Sequence, residues 1–413
     1  MFATALLISA TLPRVAIAAE IDELRAAVAA LQKRLDQLET RAGNTQAVND
    51  SQKEQIAAVG SKAAAPVSNF NWKGDLRFRN ETVDQQYTPE RNRYRIRARA
   101  GFVAKVNDTV RSEFVLATTE GNDPRASNQT FTGENSRKPI ELELAYAEWA
   151  PNAAWKLTAG KMRYPLIRPG QSGFVDVDIN PEGLAATWSR GDFFAGALYN
   201  LLEERSTAAE SALVAGQLAW RPRLGPGKLT VGTGYMSFSG VQGRNPFYNN
   251  SSNGNTTTTV AADCRGATPC LVNDYDLVEL FAEWSQPVGG RPLSFYADYA
   301  NNASVRDQDT AYSAGVAYGR ASDPRTWEVG FSYQRIEKDA LYAQFIESEF
   351  AAGVTDSSGA VFRLAYAPAR NWVINGTWFV NETNVDVPTT LPGVGLVRDR
   401  DIRRLQFDLN YKY

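Results

Sequence analysis

The final stretch of the chain, Arg403-Arg-Leu-Gln-Phe-Asp-Leu-Asn-Tyr-Lys-Tyr413, alternates without a break. Leu405, Phe407, Leu409, Tyr411 and Tyr413 fall on one face; Arg404, Gln406, Asp408, Asn410 and Lys412 fall on the other. Successive side chains of a strand point to opposite sides of its sheet, so this segment meets an apolar medium on one side and water on the other. A helix would scatter the same residues around its whole circumference.

The same period of two runs from Phe70 onward. Phe70, Trp72, Leu76 and Phe78 alternate with Asn71, Lys73, Asp75, Arg77 and Arg79, and Tyr94, Ile96, Ala98, Ala100 and Phe102 alternate with Arg93, Arg95, Arg97 and Arg99. Continued along the chain, the pattern predicts strands near 70–80, 93–106, 109–120, 140–150, 154–163, 183–190, 192–201, 211–221, 227–238, 274–286, 291–301, 310–320, 325–337, 360–367, 370–381 and 401–413. Strands six and seven are separated only by Gly191 and also read as one long strand. The connections fall into two alternating classes. Short ones hold Asn107-Asp108, Gly191 or Pro368-Ala369, whereas the others span 81–92, 121–139, 164–182, 202–210, 239–273, 302–309, 338–359 and 382–400. An all-β, antiparallel up-and-down transmembrane barrel sorts its loops in this way, and about 16 strands are enough to leave an aqueous channel where about eight are not.

Composition removes the main competitors. Beyond the N-terminus no apolar run approaches the roughly 18 residues of a membrane-spanning helix, while a mean hydropathy of −0.36 suits a barrel whose two faces average to polar. A formal net charge of −2 argues against nucleic acid as a partner. Histidine is absent, which removes every mechanism that needs imidazole, so no enzyme activity and no cofactor are expected. The two cysteines, Cys264 and Cys270, sit in a polar loop and are expected to pair as a short staple in an oxidising compartment.

The N-terminal part reads differently. Residues 1–19 combine an apolar run with Ala16, Ala18 and Ala19 and predict a secretory signal peptide, although Arg14 follows the run instead of preceding it. Over 20–40, Ile21, Leu24, Val28, Leu31, Leu35 and Leu38 are spaced 3, 4, 3, 4, 3 as in the seam of a coiled coil, which predicts a homo-oligomer, with β-branched residues at a and Leu at d favouring a dimer. A polar linker, 41–69, separates this helix from the barrel of 70–413.

The charges on the polar faces are the candidate functional residues. Lys73, Arg77, Arg79, Arg93, Arg95, Arg97 and Arg99 form a basic ladder on the first two strands. Such a ladder is prohibitive in a dry core and admissible in a wet lumen. Glu141 and Glu143 on the fourth strand and Glu279 and Glu283 on the tenth are candidates for an opposing acidic wall, which would set a transverse field across the pore. The inward direction of Glu141 and Glu143 is in conflict with Ala145, Ala147 and Trp149, which share their parity. The third long loop carries Leu166, Ile167, Phe174, Val175 and Ile179, more apolar residues than an exposed loop needs, and is predicted to pack inside the barrel with Asp176, Asp178 and Glu182 facing the ladder. Asp176-x-Asp178 lacks the further ligands of a calcium loop, so no metal site is expected.

The arginine-rich segment Asn92-Arg-Tyr-Arg-Ile-Arg-Ala-Arg99, Gly160-Lys161-Met162 with Pro165, Asp176-Val-Asp178 followed by Pro181-Glu182-Gly183, and the aromatic terminus carry a resemblance over most of the chain. They are similar to a family of Gram-negative outer-membrane porins that bear an N-terminal coiled coil before the barrel. The resemblance implies a passive diffusion channel in outer-membrane lipid for small hydrophilic solutes, assembled as a trimer, with the coiled coil in the periplasm. The ladder would favour anionic or zwitterionic solutes. The competing expectation is a structural anchor whose coiled coil touches peptidoglycan or a periplasmic partner.

Overall fold

The computed structural model describes residues 69–413 together with 32–34 and 53. The expected signal peptide and coiled coil lie outside the described residues except for Gln32 to Arg34, which are helical, and only residues 53 and 69 of the linker are described.

Sixteen long strands build one wall: β1 Phe70–Gln85, β2 Arg91–Lys105, β3 Val110–Thr118, β4 Ile140–Trp149, β5 Trp155–Lys161, β6 Glu182–Arg190, β7 Phe193–Glu203, β8 Ser211–Trp220, β9 Gly227–Ser239, β10 Tyr275–Val288, β11 Arg291–Asn302, β12 Thr310–Gly319, β13 Thr326–Ile336, β14 Ser357–Ala367, β15 Trp372–Thr383 and β16 Arg400–Lys412. Each is antiparallel to the next, and β16 pairs with β1, so the sheet has no open edge. The seam is fastened at its end, where the Gly74 and Tyr413 amides each donate to the other's carbonyl at 3.1 Å. A Cβ on Gly74 would come within 2.4 Å of the Tyr413 ring, so only glycine lets the terminal aromatic lie there. Gly191, at φ +58°, makes the tight turn that divides β6 from β7, which pair from Arg190↔Phe193 upward as two strands.

The first connection departs from expectation. The 81–92 segment is mostly strand, because Arg93 reaches Glu81 at 2.5 Å and Asn80 donates to Asn92 at 2.9 Å, which carries the β1–β2 pairing on to a turn at 86–90.

Outward side chains are apolar, and rings gather where the short turns lie. Trp149, Trp155, Phe193, Trp220, Trp372 and Tyr413 all stand exposed at those strand ends, as in the aromatic girdle of a membrane barrel. The inner surface divides into two arcs. From β7 to β13 it carries Leu198, Leu213, Met236, Phe238, Tyr275, Leu277 and Ile336, all buried, and two connections fold inward onto them: 162–181, through Met162, Leu166, Phe174, Val175 and Ile179, and 337–356, through Leu341, Tyr342, Phe345 and Ile346. That side of the lumen is thereby filled by a hydrophobic core. The other arc, β16 through β4, is charged, and β5, β6, β14 and β15 join the two.

Candidate pore constriction

Exposure separates the two faces of the ladder strands. Leu76, Phe78 and Tyr94 are 44%, 45% and 51% exposed, whereas Arg79, Arg95 and Arg97, of opposite parity, are 3%, 6% and 6% exposed. The arginines therefore point inward, but few of them are free. Arg97 and Arg99 both donate to Asp75, at 2.9 and 2.7 Å. Arg79 clamps Asp408 at 2.6 and 2.8 Å and also pairs with Glu349, while Arg77 donates to Asn410 at 3.0 Å. Lys73 and Arg163 share Glu113 at 2.5 and 2.6 Å, Arg93 holds Glu81 at 2.5 Å, and Arg95 donates to the Asn128 carbonyl at 3.0 Å. Three of these carboxylates, Asp75, Glu81 and Asp408, belong to the same alternating faces as the basic residues. The ladder is thus a mixed-sign wall.

The bulge in β4 resolves the conflict over Glu141 and Glu143. Val115 pairs with Leu144 and Leu116 with Leu142, which leaves Glu143 as an extra residue in the β3–β4 register. An inserted residue reverses the parity of everything beyond it. Glu141 and Glu143 consequently face inward, while Ala145, Ala147 and Trp149 face outward despite equal parity. Glu143 comes within 3.7 Å of Arg99 and accepts from Asn180 at 3.2 Å.

Glu279 and Glu283 also face inward, but they lie beneath the 162–181 connection and do not form an open wall. Glu283 accepts the Gly170 amide at 2.8 Å, and Glu279 accepts from Gln217 at 3.4 Å. Gln217, Asp298 and Gln334 serve the same connection, taking the Ile167 amide at 2.8 Å, the Ser172 hydroxyl at 2.5 Å and the Gly173 amide at 3.0 Å. A loop inside a barrel must find partners for its backbone, and the wall supplies them. Gly170, at φ +51°, lies so close to Tyr296 that a Cβ would meet its ring at 2.2 Å.

The two acids of this connection and Glu182, which opens β6, have separate fates. Asp178 lies 3.9 Å from both Arg97 and Arg99 and faces the ladder. Asp176 turns the other way, accepting the Asp178 and Ser348 amides at 2.8 and 2.9 Å. Glu182 is largely exposed and pairs with Lys161 at 2.7 Å. Two chambers, of about 130 and 270 Å³, both border Glu143 and Asn180; Asp178 lines the first, and Asp75, Arg99 and Lys73 line the second.

The 337–356 connection was not foreseen as part of the site. Its signal, Ala340-Leu-Tyr-Ala-Gln-Phe-Ile346, is an apolar run in a loop, the same kind of clue that marks 162–181. The two connections join by strand-like bonds, Asp176 amide to Phe345 carbonyl at 2.7 Å and Glu347 amide to Gly173 carbonyl at 2.9 Å. Burial, with Glu347 and Asp178 adjacent, pushes the Asp176 carboxyl well up; burial, with Glu349 and Asp178 adjacent, pushes Glu347 up to about 7. A carboxyl whose pKa is raised by packing binds its proton more tightly in the packed state, so this junction is strongest when protonated and weakens as pH rises through the elevated value. Protease cleavage within 337–356 should accordingly rise between about pH 4.5 and 7 and level off above that, and Glu347→Gln should flatten that dependence. A pH-independent cleavage rate in the unaltered protein would contradict the assignment.

In the long 240–274 connection the sulfurs of Cys264 and Cys270 lie 2.07 Å apart, closing a small loop.

The matches to known proteins agree with this architecture. Residues 83–268 and 270–413 match the model of a family described as "Putative porin". The chain belongs to this porin family. Among solved structures it is similar to OprB of Pseudomonas putida, with a TM-score of 0.55 and 13% identity over 84% of this chain and 94% of that one. It also matches a trimer form of OmpT of Vibrio cholerae, at a TM-score of 0.48 and 12% identity over 83% and 99%. A porin of Rhodopseudomonas blastica follows at 0.45 and 10% identity, over 83% and 100%. No curated protein matches. The family and the fold make the chain a porin-type channel of the outer membrane.

Proposed function

We propose that this porin is a passive channel for small hydrophilic solutes, with a route that runs along the charged arc and narrows where Arg97 and Arg99 oppose Asp178 and Glu143. The observation that carries the reading is the 3.9 Å approach of Asp178 to both arginines, made by a connection that also bonds to β11 on the far wall. Opposite charges side by side on the rim of a narrow passage orient a dipolar solute. Because most arginines already hold a carboxylate, zwitterions fit the passage better than simple anions. The coiled coil of 20–40 would tie copies into a homo-oligomer and reach toward peptidoglycan.

Planar-bilayer recordings on the purified, refolded protein test this. Discrete conductance steps with weak ion selectivity, and permeation of a zwitterion such as glycine in liposome swelling, are expected. Heat-modifiable protein without conductance would reduce the barrel to an anchor.

A further inference from the structure

The guanidinium cluster on β1, β2 and β16 contains more donors than the wall has acceptors. Arg79 is satisfied by Asp408 and by Glu349, which comes from the inward connection and not from the wall. Arg404 and Arg95 flank this pair, each only 6% exposed, and the Nε–H of each has no acceptor among the described residues. The carboxylates acting on Arg404 are Glu81 and Glu349, and Glu81 is already held by Arg93 at 2.5 Å and by Gln406 at 2.8 Å. A buried guanidinium donor without an acceptor is costly, and two of them on either side of the Arg79–Glu349 pair mark a place built for a negative group that the wall itself does not provide.

Glu349 shows which group fits. Its carboxylate enters from a loop, sits against Arg79 and is held there by charge: burial alone would raise its pKa, but Arg79, Arg404 and Arg77 hold it at about 2. A guanidinium fork takes a carboxylate through two parallel bonds, which a chloride ion cannot reproduce.

We propose that Arg79, Arg95 and Arg404 form a binding site for the carboxylate of a small solute, and that Glu349 is its tethered internal occupant. An arriving carboxylate displaces Glu349, takes the free Nε donors and detaches the loop from the wall. The idea deepens the channel reading and rests on it only for the route by which the solute arrives.

Calorimetric titration of the full chain in detergent with succinate tests the site without any need for conduction. Glu349→Gln removes a competitor tethered at roughly millimolar effective concentration, so succinate should bind at least about tenfold more tightly than to the unaltered protein. Adding Arg404→Gln should abolish that gain, and butane-1,4-diol, of the same length without carboxylates, should bind neither protein. If Glu349→Gln loses heat-modifiable mobility, Glu349→Asp, which withdraws the carboxylate by one methylene, should give a smaller tightening in the same direction. Equal succinate affinity in the folded variants and the unaltered protein, or a gain that survives Arg404→Gln, would overturn the proposal. Bilayer recordings separate the two readings: binding without any conductance would leave the site standing and sink the channel, and conductance without binding would do the reverse.

Discussion

Replacing Arg95, Arg97 and Arg99 together by Ser is expected to swing the reversal potential in a salt gradient strongly toward cations. Arg97 and Arg99 are the two donors to Asp75, at 2.9 and 2.7 Å, and they are also the cations within 3.9 Å of Asp178, with Glu143 3.7 Å from Arg99. Their loss leaves three carboxylates around the narrow passage without a counter-charge. In a confined lumen that imbalance acts directly on the permeating ion, and low salt magnifies it because the screening length reaches about 10 Å at 0.1 M. The reverse experiment discriminates between acids. Asp178→Asn should move the potential toward anions, whereas Asp176→Asn should leave it nearly unchanged, because Asp176 accepts its bonds from Asp178 and Ser348 amides and not from the ladder. Equal shifts from both acids, or none from the triple variant with conductance intact, would place the constriction elsewhere.

Tyr342→Ala should enlarge the conductance several-fold while the barrel stays folded. Tyr342 is 1% exposed, and its ring lies 4.7 Å from Phe238, 5.4 Å from Tyr275 and 5.9 Å from Phe247 and Phe345. Truncating such a ring costs about 3–5 kcal/mol. That loss falls on the 337–356 connection, because the sixteen-strand ring is closed by its own hydrogen bonds and by β16 against β1. Release of the connection would take Glu349 from Arg79 and uncover the apolar arc. Single-channel recording together with limited proteolysis checks this: larger steps and new cleavage within 337–356 are expected, with heat-modifiable mobility retained. Unchanged steps would show that this connection does not obstruct the lumen, and loss of heat modifiability would show that the ring depends on its filling.

The disulfide loop and the first hairpin show how local the readable information is. Cys264 and Cys270 are close in sequence, and their juxtaposition costs little chain entropy. The 81–92 segment reads as loop because charged residues such as Glu81 and Arg91 look like loop when read singly and become strand only through cross-strand pairing.

Period and loop alternation, which need no tertiary knowledge, determined the barrel, its sixteen strands, which face meets lipid, and the inward packing of 162–181. Every one of these follows from the rule that neighbouring side chains on a strand point opposite ways and that an apolar loop must be covered. What only the tertiary structure decided is who meets whom inside. The bulge at Glu143 shows in the alternation only as an unresolved conflict of parity with Ala145, Ala147 and Trp149, since the bulge itself is defined by the partner strand's register. Ring closure brings Asp408 of the last strand against Arg79 of the first, and an inward connection carries Glu349 to the same arginine. Charge on a lumen face is legible in sequence because it depends on one residue and its parity; whether that charge is free depends on partners hundreds of residues away, and those are set by how the sheet closes and where its loops fall.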